Sequence, residues 1–231
     1  NALDANTTAN NNTAVGYQAL TANTTGTKNT ALGANALAAN TTGNYNTAIG
    51  EAALIANTTA DHNVAYGYGA MYSNTTGTRN HAFGNNALYA NTTGSQLAAI
   101  GYNSLRFNTT GTDNTAVGNY ALQANTTASG NTGIGVSALG ANTTGAMNTA
   151  LGYKALTASD GDHNTALGHS ALAGNTTGDN NLAVGRDTLT ANTTGSRNVA
   201  VGRGSLAANT TVSDNTAVGY EALTANTTGT A

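Results

Sequence analysis

The sequence predicts an all-β fold, a parallel β-solenoid or β-roll of about thirteen coils, and three observations predict it. First, a unit typified by Asn29 to Tyr45, NTALGANALAANTTGNY, recurs in one register from residues 12, 29, 46, 63, 80, 97, 114, 131, 148, 164, 181, 198 and 215, every step being seventeen residues except the sixteen between Asn148 and Asn164. A period this short defines a structural unit that buries its apolar side only against its neighbours, so residues 1–231 read as a single repeat domain. Second, a column of leucines runs from Leu3 through Leu37 to Leu223, interrupted in type only by Met71. Third, a glycine in mid-unit and a closing Ala-Asn-Thr-Thr-Gly favour short strands joined by turns over helix.

Residues 1–11 supply the second half of a coil, with Leu3 in phase with Leu20 and Leu37. From Asn12 onward each unit has two short apolar segments, read as two brief strands. The first contributes the column of Val15, Leu32, Ile49, Tyr66, Phe83 and their successors to Val218. Together with the leucines, and backed by small residues at the phases of Ala31, Ala36 and Ala39, it is expected to form a thin core between two parallel sheets. At ~4.8 Å per strand, thirteen coils would make a rod on the order of 60 Å long.

The loosest copies lie between residues 63 and 110, where Tyr66, Phe83 and Met71 enlarge the apolar columns, Val64 and His81 replace a threonine, and Leu97 stands in an asparagine position. Compensating packing is the preferred reading of these residues, with a ligand pocket as the alternative. At Thr157 to His163 one residue is lost from the closing turn, where a length change is easily absorbed. Where the closing glycine is missing, at Ala9, Ala60, Ala128 and Val212, Asn10, Asp61, Ser129 or Asp214 follows within two residues, which preserves a turn.

Charged residues make up 7% of the chain, the net charge is −3, and the basic residues are scattered, so no basic stripe exists to follow a phosphate backbone and nucleic acid is not an expected partner. No apolar run reaches the ~18 residues needed to span a bilayer, so this segment is not expected to insert in a membrane. The absence of cysteine removes disulfides and thiolate metal sites. His62, His81, His163 and His169 have no carboxylate pair at zinc-ligand spacing, acids are isolated, and the glycines do not form a phosphate loop. No catalytic, cofactor or metal residues are assigned, and the chain is not expected to be an enzyme.

Two polar features remain. Tyr17, Tyr68, Tyr102, Tyr153 and Tyr220 share the variable phase after the mid-unit glycine, which marks an exposed position. Asn-Thr-Thr, formally a glycosylation acceptor, has its asparagine at Asn6, Asn23, Asn40, Asn57, Asn74, Asn91, Asn108, Asn125, Asn142, Asn175, Asn192, Asn209 and Asn226. Coils spaced at ~5 Å would crowd a glycan on each, so stacked hydrogen-bond ladders are the preferred reading and glycosylation the alternative.

The segments NTAVGYQAL (Asn12 to Leu20), NTAIGEAAL (Asn46 to Leu54) and NTALGYKAL (Asn148 to Leu156) resemble the head repeats of trimeric autotransporter adhesins, with similar repeats in tail-fibre-like surface proteins. The resemblance implies a left-handed parallel β-roll, often trimeric, that displays an adhesive surface outside the cell. The expected function is therefore an extracellular structural or adhesive fibre that self-associates, end to end or as a trimer, with a host-surface or glycan receptor as a further partner. The chain opens partway through a unit and ends on an ordinary copy, which supports end-to-end joining. An ice-binding solenoid is the runner-up, because threonine columns are numerous although Thr-x-Thr pairs are few. A glycosylated surface fibre is the other alternative.

Overall fold

In the computed structural model, which describes residues 1–229, the chain is an all-β solenoid of thirteen parallel three-residue strands. It falls into two compact units. The first, Asn1–Asn114, carries β1 (Thr13–Val15), β2 (Thr30–Leu32), β3 (Thr47–Ile49), β4 (Val64–Tyr66), β5 (His81–Phe83) and β6 (Ala98–Ile100). The second, from Thr115 onward, carries β7 (Thr115–Val117), β8 (Thr132–Ile134), β9 (Thr149–Leu151), β10 (Thr165–Leu167), β11 (Leu182–Val184), β12 (Val199–Val201) and β13 (Thr216–Val218). Within each unit, consecutive strands pair parallel and in register, Thr30 with Thr47, Ala31 with Ala48 and Leu32 with Ile49 being typical.

Each coil has one strand, not the two expected. The second apolar segment is a series of linked turns: Ala36 N–H donates to Gly33 O at 3.4 Å, Ala38 to Asn35 at 3.3 Å and Asn40 to Leu37 at 3.1 Å. Such turns need a positive φ at their third residue, and Asn35 (59°) and Leu37 (51°) supply it in the first two. A left-handed leucine costs roughly 1–2 kcal/mol. Burying its side chain returns about 1.5–3 kcal/mol, and Leu37 is fully buried, so the trade closes in favour of the fold.

The core is narrower than expected. Side chains alternate along a strand, and it is Ala31, Ala48, Ala65 and their equivalents that point inward with no exposed surface, packing with the buried Ala36 and Leu37 columns. The Leu32 column, expected inside, faces out: Val15, Leu32, Tyr66 and Ile100 are 57%, 47%, 55% and 45% exposed. With alanine on the strand and leucine opposite, backbone and backbone come too close for a second bulky residue.

Most of the remaining interior is asparagine. In one column Asn40 Nδ2 donates to Asn23 Oδ1 at 2.9 Å and to Gly43 O at 3.0 Å, and Asn57 repeats this on Asn40 and Ala60. In a second, Asn29 Nδ2 donates to Gly43 O at 2.7 Å while its Oδ1 accepts from Asn46 N at 2.9 Å. Polar groups in a dry interior are tolerable because a coil offers the partner the next one needs, Asn142 Oδ1 and Asn209 Oδ1 being left without one. Leu97 fits the second column fully buried, and its N–H still donates to Asn80 Oδ1 at 3.0 Å.

The sixteen-residue coil shows how the ladder survives a deletion. In ordinary coils Thr41 and Thr42 N–H both donate to Thr58 O, at 2.9 and 3.3 Å. In the short coil the Asp160 carboxylate replaces that carbonyl, accepting from Thr143 N at 2.6 Å, Thr144 N at 2.9 Å and Thr143 Oγ1 at 2.8 Å. Ser159, standing in the asparagine column, accepts from Asn175 Nδ2 at 3.1 Å, but it leaves Asn142 Oδ1 buried without a partner.

Partial burial pushes the Asp160 carboxyl up, but hydrogen bonds from Thr144, Thr143 and Gly145 together hold it below its ordinary value. A depressed carboxyl contributes stability above the unfolded value of about 3.9, lost as the pH falls through the folded one. Asp160→Asn should therefore cost on the order of 1 kcal/mol at pH 7, charge-assisted bonds discounted for exposure. Thermal melts of variant and parent should converge as the pH is taken well below 3.9.

Candidate interaction face

Because Ala31 points inward, Thr30 and Leu32 of each strand point outward, and stacking in register turns them into columns. The first unit presents Val15, Leu32, Ile49, Tyr66, Phe83 and Ile100, all exposed except the half-buried Ile49. The second unit presents Val117, Ile134, Leu151, Leu167, Val184, Val201 and Val218, from half-buried to 70% exposed. Contiguous exposed apolar columns of this kind are the surfaces on which proteins most often make contacts.

Gly16 and its equivalents separate this column from the next. The glycine adopts φ near 130°, open only to glycine, and the following residue then returns to the surface. The tyrosines expected there to be exposed are so: Tyr17, Tyr68, Tyr102, Tyr153 and Tyr220 are 44% to 68% exposed. Two are enlarged by neighbours, Arg203 lying over the Tyr220 ring at 5.6 Å and His169 tilted against Tyr153 at 5.3 Å.

The Asn-Thr-Thr asparagines lie away from this face. Asn23, Asn40, Asn57, Asn74, Asn91, Asn108, Asn125, Asn142, Asn175, Asn192 and Asn209 are fully buried, whereas Asn6 and Asn226 are half-buried. Their Nδ2 atoms, to which a glycan would be joined, donate inside the ladder, as Asn91 does to Asn74 Oδ1 at 2.8 Å and Gly94 O at 3.0 Å.

His62 and His81 line one surface depression, whereas His169 lies in the second unit. His62 stacks on Tyr45 at 4.8 Å with planes 8° apart, and His169 Nδ1 lies 3.8 Å from Asp187. Among the described residues no group of three His, Cys, Asp or Glu could hold a metal ion. No helix among them is long and apolar enough to cross a membrane. No family model, curated protein or solved structure matches the chain.

Proposed function

We propose that the chain is a structural or adhesive element of an extracellular fibre, with no enzymatic role, and that it self-associates laterally through the outward strand face. The observation that carries this is the exposed aliphatic column, a surface that water does not favour and that a second copy matches in pitch, since both repeat at the strand spacing of ~4.8 Å. Trimers would bury three such columns together.

Sedimentation over a wide concentration range tests the reading against the variant Leu32→Lys/Phe83→Lys/Leu151→Lys, whose positions are already exposed. The parent should sediment as multiples of its 22.8 kDa mass, with no hexose added to the chain, and the variant as a monomer. A parent that remains a single 22.8 kDa species at high concentration, or a variant that assembles equally, overturns it.

The same face favours one second reading. Thr13, Thr30 and Thr47 form an outward column beside the aliphatic one, and regular threonine and methyl ranks suit the ordering of water at an ice surface. Thermal hysteresis in the parent that the three lysines reduce would support it, and its absence in the parent would remove it.

A further inference from the structure

The residues just ahead of the second asparagine column in the first unit, Lys28, Tyr45, His62 and Arg79, stack coil on coil, each held at φ between 57° and 60°. Lys28 Nζ donates to Tyr45 Oη at 2.8 Å and lies 4.6 Å from the ring centroid, and the opposite side of Tyr45 carries the His62 imidazole. Two residues further along each coil, where threonine is usual, stand Val64 and His81. Between the two columns lies a depression of about 540 Å³ lined by Tyr45, His62, Val64, Arg79 and His81. It is open to solvent, shaped to take one edge of a ligand rather than to enclose it.

Its lining contains a guanidinium, two imidazoles and a phenol, and no carboxylate. The nearby Asp61 is engaged elsewhere, accepting from Asn44 N at 2.6 Å and Asn44 Nδ2 at 3.3 Å, and Asp113 accepts from Gln96 Nε2 at 2.9 Å. The chain's other basic side chains each touch a ring or a carboxylate, although Arg106 Nε is buried without a partner. Lys28, Lys154 and Arg203 lie over tyrosines, Arg106 lies over Phe107, and Arg186 and Arg197 pair with Asp187 and Asp214. Among the described residues Arg79 is the one lysine or arginine whose side chain has no hydrogen bond, ion pair or ring contact.

We propose that this depression binds an anionic saccharide, its sulfate or carboxylate held by Arg79 with His62 and His81, and its apolar ring edge set against Val64 and Tyr45. Guanidinium presents two parallel donors to such a group, and the imidazoles add donors on either side. The proposal gives the adhesive reading a ligand class and rests on it, but it does not depend on self-association.

Isothermal titration of the full chain decides it, at a concentration where sedimentation shows one species. The probes are a sulfated disaccharide, a uronate-containing disaccharide, their neutral counterpart and sodium sulfate. The variants restore residues that other coils carry at the same phases, Arg79→Gln as in Gln96 and His81→Thr as in Thr47, so the fold is kept. Arg197→Gln, which alters a paired arginine, is the control for general charge.

At least one anionic disaccharide should bind, at least tenfold weaker in Arg79→Gln and several-fold weaker in His81→Thr, with Arg197→Gln unchanged and the neutral sugar silent. Equal binding by the parent and both depression variants overturns the site. Sodium sulfate binding as tightly as the disaccharides overturns the saccharide and leaves a simple anion site. Loss of saccharide binding with assembly intact defeats this proposal alone.

Discussion

Leu122→Asp should unfold the second unit at room temperature, whereas Gln123→Asp next to it should change stability by no more than about 1 kcal/mol. Leu122 has no exposed surface and lies in the buried apolar columns, close against the Gly133 position of the next strand. Burying an unpaired charge costs at least ~4 kcal/mol even where the group neutralises itself, and the lost leucine contacts add to it. That sum is comparable with the whole stability of a small domain, about 5–15 kcal/mol. Gln123 is half-buried on a turn and its side chain reaches solvent. Circular dichroism melts of the two variants check the contrast, and equal melting temperatures would refute the assigned interior.

The second large effect is expected at glycine, in a pair only two residues apart. A Cβ at Gly67 would stand 2.7 Å from both C and O of Gly84 in the next coil, at φ 133°. Both atoms are backbone and fixed by the strand register, so Gly67→Ala must break the local ladder at a cost of roughly 3 kcal/mol or more. Gly69 has φ 60°, and its Cβ would meet Asn86 Oδ1 at 2.9 Å, the tip of a side chain that can swing away. Ala52 occupies the same phase one coil earlier at φ 57°, so Gly69→Ala should cost only about 1 kcal/mol. Urea unfolding of the two variants measures the difference, and near-equal midpoints would contradict the close approach of the coils at Gly67.

The repeat and its turns were legible in the sequence because they depend on spacing alone. A phase held through thirteen starts admits few folds besides a solenoid, and the tyrosine column betrayed its exposure by its variety. The inside and outside of the strand were misjudged. Apolarity put Leu32 in the core, yet two signals pointed the other way: the neighbouring column is alanine almost throughout, as a tight interior demands, and the Leu32 column accepts Tyr66 and Phe83, as only an open side can. Because Thr30, Ala31 and Leu32 alternate, one column inside forces the other two out.

The depression was out of reach for another reason. In the sequence His62 reads as a histidine without metal-ligand partners and Val64 and His81 as packing variants, while Arg79 and Tyr45 carry no signal that joins them. What unites them is position across three coils, and what singles out Arg79 is the engagement of every other basic side chain, a fact of geometry that spacing does not carry.

The hydrogen bonds of each coil run almost wholly within itself or to the coil directly before or after, and even the sixteen-residue coil is absorbed by its own Asp160. No interaction in the series refers to how many coils there are. A lineage can therefore lengthen or shorten such a chain by duplicating or losing whole units, with no compensating change elsewhere, and reach becomes a quantity set by copy number. Specialised patches such as the one around Arg79 can then arise in a few copies while the others go on holding the array together.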